Sequence, residues 1–180
     1  MKRLLIGVAA VAVAVPVLAF GALALLPSQL DVRRSAVISA SPADVQHQIA
    51  HFPDRHDWII WTEVDPAAVY TYSGEPGALG AAMHWEGEEI GTATLTLKQV
   101  VPGERVVSSL QYTAPFQMVT EDVFELEDLG DGTTRVTWMA KADLPFGPDR
   151  IFGVFADGML GPEYEASLDR LEALMASKRS

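Results

Sequence analysis

From Val69 to Lys141, apolar and polar residues alternate in short runs, the period-two pattern of half-buried strands. Six runs stand out: "VYTYSG", "AAMHWEG", "TATLTLKQVV", "RVVSSLQY", "FQMVTEDVFEL" and "TRVTWMAK". Their separators, such as "PGE" and "DLGDGT", are short and rich in turn formers, so consecutive strands are predicted to pair antiparallel. Six strands in a row form a long meander that must curve or partly close. A further strand is predicted at "VRRSAVIS", Val32 to Ser39. After it, Ser41 reads as an N-cap, Pro42 as the first helical residue and Asp44 as the end of a capping box. Val45, Ile49 and Phe52 then recur at helical spacing until Pro53, which starts a second short helix.

The tail returns to a helical period. "GPDRIFGVFADGM" and "GPEYEASLDRLEALMASK" predict two helices, each opened by Gly-Pro. Tyr164, Leu168, Leu171 and Met175 lie on one stripe of the second, which must therefore rest on an apolar surface. The concave face of the curved sheet is the available partner. A helix laid across such a face need not fill the space beneath it, so a cavity is expected there.

The chain opens differently. After Lys2 and Arg3, no charge interrupts Leu4 to Leu26, about the length a bilayer crossing requires. A cleaved signal is the other reading, with Ala22 and Ala24 imitating a small-x-small site. The basic start favours a cytoplasmic amino terminus, and Arg33 and Arg34 weaken that bias. The expected organisation is a membrane anchor over residues 1–30 and one domain over 31–180, on the extracytoplasmic (periplasmic) side.

Charge and cysteine content narrow the chemistry. All 24 acidic residues follow the anchor, whereas two of the 13 basic ones precede it, leaving 11 basic against 24 acidic, a net −13. Such a surface repels phosphate backbones, so nucleic acid is not an expected partner. There are no cysteines, which removes disulfides and thiolate chemistry. His47 and His51 are four apart, but the apolar face of their helix is Val45-Ile49-Phe52, which turns both to solvent. No metal site and no cofactor are predicted.

The segment "RHDWIIWTEVDP", Arg55 to Pro66, has two readings. Either His56 with Asp57 or Glu63 forms an acid–base pair beside a pocket, or the tryptophans plug a gap and the charges face water. The second is favoured. Along the strands, alternation puts Ala93, Leu95 and Leu97 on one face. It likewise aligns Phe124 and Leu126 opposite Val136 and Trp138, with Thr120 and Asp122 pointing inward on the same strand. An inward carboxylate has its charged form disfavoured in an apolar cavity, which makes Asp122 a candidate ligand contact or general acid. Trp85, Tyr112, Ser108 and His84 are further candidates on the sheet, while Phe152, Phe155 and Met159 could border a pocket mouth.

The order of elements, together with "SAVISASPADV", "WIIWTEVDP", "YTYSGEPGALGAAMHWEG", "PGERVV", "GDGTTRVTW" and "GPEYEASLDRLEAL", resembles the START-like superfamily. Within it the chain is similar to the polyketide cyclase/dehydrase-like group known as SRPBCC. The resemblance implies an α+β helix-grip fold (START/Bet v 1-like), with a curved antiparallel sheet of about seven strands gripping a long C-terminal helix. It carries no shared catalytic motif. Because that superfamily holds carriers, binders, cyclases and chaperone regulators, the expected function rests on the cavity instead. It is membrane-tethered, non-catalytic binding of a hydrophobic or amphipathic small molecule, lipid-like or polyketide-like, with Trp85, Tyr112, Thr120, Asp122, Phe124, Trp138, Phe155 and Met159 as candidate contacts. The alternative is a cyclase/dehydratase-type enzyme using Asp122 or His84.

Overall fold

The structure is a computed structural model that describes Gly21 and residues 23–147 and 149–179. The expected anchor lies almost wholly outside the described residues; among those described, no helix is long and apolar enough to cross a membrane.

Seven strands form a single antiparallel sheet: β1 (Gln29–Ile38), β2 (Val69–Ser73), β3 (Ala82–Glu86), β4 (Thr92–Val101), β5 (Arg105–Ala114), β6 (Met118–Asp128) and β7 (Thr134–Asp143). Their order is β1-β7-β6-β5-β4-β3-β2, a meander whose last strand is capped by the first. Helices α1 (Pro42–Ala50), α2 (Phe52–Arg55) and α3 (Trp61–Val64) lie between β1 and β2, and α4 (Asp149–Lys178) follows β7. Ser41 is the N-cap of α1, its hydroxyl accepting from the Asp44 N–H at 3.3 Å.

Burial follows the alternation. Ala93, Leu95 and Leu97 of β4 are buried on the concave face, as are Thr120, Asp122, Phe124 and Leu126 of β6. Phe124 pairs with Trp138 and Leu126 with Val136, the register that the sequence pattern predicts. Tyr164, Leu168, Leu171 and Met175 of α4 close over this face. The opposite face buries only a small row, Val107, Val123 and Met139, across three strands.

One prediction is corrected. The tail is a single helix with Pro162 inside it, not two helices. Arg34 of β1 explains the continuity. Its guanidinium donates to Asp157 at 2.7 Å and to Glu165 at 2.5 Å, spanning the proline from both sides. Gly161 makes room for it, since a Cβ there would overlap the guanidinium. The bridge thus holds in line the two turns that a missing N–H would otherwise let bend.

The pairing also gives the sheet two distinct ends. Gln29 pairs with Asp143, Tyr112 with Met118, Ala114 with Thr92, and Thr92 with Glu86. The start of β1 therefore lies at the same end as the β3–β4 loop, the β5–β6 turn and the β7–α4 connection. Helix α1 lies toward the opposite end, where Gln46 holds the β4–β5 turn through Val101 O (2.7 Å) and Gly103 N–H (3.1 Å).

Helix α4 offers a paired test of this packing. Gly158 has open space where a Cβ would go, so Gly158→Ala should stabilise the fold by about 0.5–1 kcal/mol, the usual helical gain over glycine. At Gly153 a Cβ would overlap Leu144, and Gly153→Ala should destabilise instead. Urea unfolding followed by tryptophan fluorescence reads both signs.

Candidate functional site

The segment Arg55 to Pro66 sorts into core and surface in a way its composition does not announce. Trp58 is fully buried and its indole N–H donates to Gln48 O at 3.2 Å. Trp61 donates to Glu163 Oε2 of α4 at 2.7 Å. His56 packs edge-on against Tyr70, Glu63 pairs with Arg170, and Asp57 is exposed, so no acid–base pair forms there. The tryptophans plug a gap, as expected, but the charges do not all face water. Arg55 is 1 % exposed and Asp65 is 5 % exposed.

Arg55 answers the inward carboxylate. Its Nη2 donates to Asp122 Oδ2 at 2.8 Å, and the Trp138 indole N–H donates to Asp122 Oδ1. The remaining guanidinium nitrogens have no hydrogen bond. They lie instead among the rings of Phe124, Trp138 and Trp58, at 4.9, 5.3 and 5.6 Å from the ring centroids. Asp122 points inward as alternation requires, yet it is neither uncompensated nor open to a ligand. A lone buried carboxylate would be costly, and here a fixed counter-charge and an indole meet it.

Beside this plug lies a cavity of about 410 Å³. Trp85, Leu110, Tyr112, Thr120 and Ala140 form its sheet wall, and Phe152, Leu160, Glu163 and Tyr164 its helix wall. The rim consists of the 87–92 loop, Ala114 to Phe116, Met118 and Met159. These rim segments all belong to the end of the sheet at which β1 begins. Asp65 shapes one side of the rim: its Oδ2 accepts from Glu89 N–H at 2.9 Å, and Gly87 passes so close that a Cβ would overlap that carboxylate.

Of the predicted contacts, the structure brings Trp85, Tyr112, Thr120 and Met159 to the cavity. Trp138 and Phe124 stand one layer behind. Trp138 stacks on Tyr164 at 3.9 Å between centroids and only 2° from parallel, and Phe124 stacks on Trp138. Phe155 is 61 % exposed on α4, outside the cavity lining. Ser108 is buried opposite Asp122. His84 is on the other face of β3 from Met83 and Trp85, paired with Thr94 Oγ1 at 2.9 Å. Register decides this last case, and sequence alone does not supply it. Glu163 and Leu160 were missed because the cavity face of α4 is wider than its deeply buried stripe.

Electrostatically the cavity is apolar with an acidic edge. Glu88, Glu89 and Glu163 border it, and no Lys, Arg or His does among the described residues. Burial pushes the Tyr112 phenol up, helped by the Glu163 and Asp122 charges. Tyr164 is pushed well above its ordinary range for the same leading reason, with Asp122 adding to it. Both are therefore neutral hydroxyls at physiological pH. Among the described residues the one group with metal-ligand geometry, His47, His51 and Asp54, stands apart from the cavity.

Residues 29–176 match the model of a family described as polyketide cyclase / dehydrase and lipid transport. No curated protein matches. Among solved structures, the chain is similar to a protein from Mesorhizobium loti, at 17% identity and TM-score 0.60, covering 82% of this chain and 97% of that one. It is similar to a chain of the Aha1 dimer from Colwellia psychrerythraea at 18% identity and TM-score 0.53, covering 79% and 96%. It is also similar to DynU16 of the dynemicin biosynthetic locus at 12% identity and TM-score 0.56, covering 82% of this chain and 48% of that one. At such identities the likeness shows the fold alone.

Two outcomes follow from the site. Asp122→Asn leaves Arg55 buried without its counter-charge and should cost about 3 kcal/mol in urea unfolding, the low end for breaking a buried pair because Asn still accepts hydrogen bonds. The tyrosines give a pH dependence. Burial also raises Tyr70, to about 12, and Tyr72. All four therefore favour the neutral form in the folded state. That stability is complete below the ordinary tyrosine value of 10 and is lost as pH rises through the higher folded values. Circular dichroism should show unfolding above pH 10, with Tyr112 and Tyr164 phenolate absorbance appearing together with it.

Proposed function

We propose, from the premise that this chain belongs to the polyketide cyclase / dehydrase and lipid transport family, that its cavity binds a hydrophobic or amphipathic small molecule without covalent chemistry. The observation that carries this reading is the apolar void of about 410 Å³ between the sheet and α4, open at one end. Its volume falls in the range of small-molecule sites, and its walls are mainly aromatic and aliphatic. Burial returns only ~25 cal/mol per Å², from which association costs are subtracted. A chain-like or polycyclic body is therefore favoured over a small fragment. Trp85, Tyr112, Thr120 and Met159 are assigned to contact it, with Tyr112 and Thr120 offering hydroxyls to a polar group.

Charge refines the ligand class. The acidic edge, in a protein of net charge −11, disfavours an anionic head and favours a neutral or cationic one. The reading includes a membrane tether in the apolar run that precedes β1, with the domain on the extracytoplasmic side. The cavity opens at the end of the sheet where β1 begins, and Phe116, Val119, Phe146 and Ile151 are exposed apolar side chains near it. A tether there would turn the mouth toward the bilayer.

A cyclase or dehydratase is the second reading. It loses its two expected groups, because Asp122 is fully paired and His84 lies on the other face. Among the described residues, the acid–base groups that do border the cavity are the carboxylates of Glu88, Glu89 and Glu163 and the phenols of Tyr112 and Tyr164.

The test uses the full chain in lipid nanodiscs and photo-reactive alkyl probes with trimethylammonium, hydroxyl or sulfate heads. Mass spectrometry should find saturable labelling on β5, β6 and α4, with the sulfate probe at least tenfold weaker. Leu160→Trp, which fills the void, should remove the labelling without shifting the unfolding midpoint. Labelling confined to outer surfaces and indifferent to Leu160→Trp would refute the binding role. Turnover of a polyketide-like substrate that Glu163→Gln abolishes, with labelling intact, would replace it by the enzyme.

A further inference from the structure

His47 in α1 and His51 at its C-cap stack on one side of the helix, and by themselves they offer a metal ion two ligands. The chain then does something that helical spacing does not foresee. Helix α2 opens at Phe52 immediately after His51, with Pro53 in its first turn, and this turn brings Asp54 back against both imidazoles. His47 Nε2 is 2.9 Å and His51 Nδ1 is 3.2 Å from the same oxygen, Asp54 Oδ2. All three ligand atoms lie within 4.8 Å of one another. The imidazole rings stack nearly parallel, with centroids 5.0 Å apart, so both present an edge to one point.

We propose that His47, His51 and Asp54 bind a divalent transition cation of the Zn²⁺ class. Three observations support it. The first is ligand chemistry: two imidazoles and one carboxylate suit Zn²⁺, whereas the hard cations Mg²⁺ and Ca²⁺ prefer oxygen alone. The second is spacing. Ligand atoms about 2.0–2.2 Å from a tetrahedral ion stand about 3.4 Å apart, and the observed separations of 2.9 and 3.2 Å need only a small opening to admit one. The third is an orphan atom. His51 Nδ1 is buried yet makes no hydrogen bond, because its short approach to Asp54 lacks the alignment of one. A cation between these groups would occupy that lone pair and satisfy the carboxylate at once. His47 is the exposed member, leaving the fourth position open to water or a further ligand.

The site is remote from the cavity, and it ties α1 to α2 at the residue before Arg55. Its role is a staple on the segment that delivers the buried guanidinium to Asp122. Binding to the folded chain alone raises its stability by mass action.

The test is a competition titration of the full chain in nanodiscs, without any histidine tag, using Zn²⁺ against a chromophoric chelator, and Co²⁺ as a spectroscopic probe. One equivalent should bind, the Co²⁺ spectrum should show the intense visible bands of four-coordination, and Zn²⁺ should raise the unfolding midpoint. His47→Ala, His51→Ala and Asp54→Asn should each weaken binding at least tenfold and abolish the Zn²⁺-dependent shift. The metal-free melting curve of each variant separates a lost ligand from a lost fold. Binding unchanged by Asp54→Asn, or by either histidine variant, overturns the three-ligand centre, as does a weak octahedral Co²⁺ spectrum.

Discussion

Two charges held away from water organise the interior. Arg55 and Asp122 meet between the short helices and the middle of the sheet, with Trp138 completing the carboxylate and three rings surrounding the guanidinium. Neither could be buried alone at tolerable cost. Their union fixes where Trp58, Phe124 and Trp138 must stand, and those rings fill the concave face beneath part of α4. Tyr164 marks the border: it stacks on Trp138 and also lines the void. The hollow is thus the part of the grip that the charged and aromatic plug does not reach.

Much of the fold was legible because strands announce themselves locally. Alternation placed Ala93, Leu95, Leu97, Phe124 and Leu126 on the buried face, and Ser41 with Pro42 marked the start of α1. What escaped was set by distant partners. Arg55 sits in a four-residue helix, too short for a periodicity to reveal its face, and its carboxylate is 67 residues away. Gly161-Pro162 reads locally as a helix start, and the contacts that span it come from afar, Arg34 lying more than a hundred residues earlier. His84 needed a register, and Asp54 needed the path of the chain around Pro53.

The site was legible to a similar depth. Four of the eight predicted contacts line the cavity, while Asp122, Phe124 and Trp138 make the plug behind it and Phe155 faces outward. Period two says which face a residue takes, not how far along the groove it lies. The groove changes character along its length, from packed rings to empty volume. A shared fold therefore settles little about what is held, since the same scaffold occurs in chains as different as the Aha1 dimer and DynU16. What this chain itself sets around the void is an edge of carboxylates and neutral tyrosines within.

The contact between Asp65 and the 87–92 loop has a kinetic meaning. One carboxylate oxygen, itself shielded from solvent, fastens that stretch through the Glu89 amide, and Gly87 permits the approach. The fastening is at the doorway, whereas the surfaces that would embrace a guest lie deeper, on β5, β6 and α4. On the binding reading, passage and retention of a guest would then fall to different residues. Dwell time inside such a chamber can drift under selection while equilibrium occupancy stays where the inner walls put it.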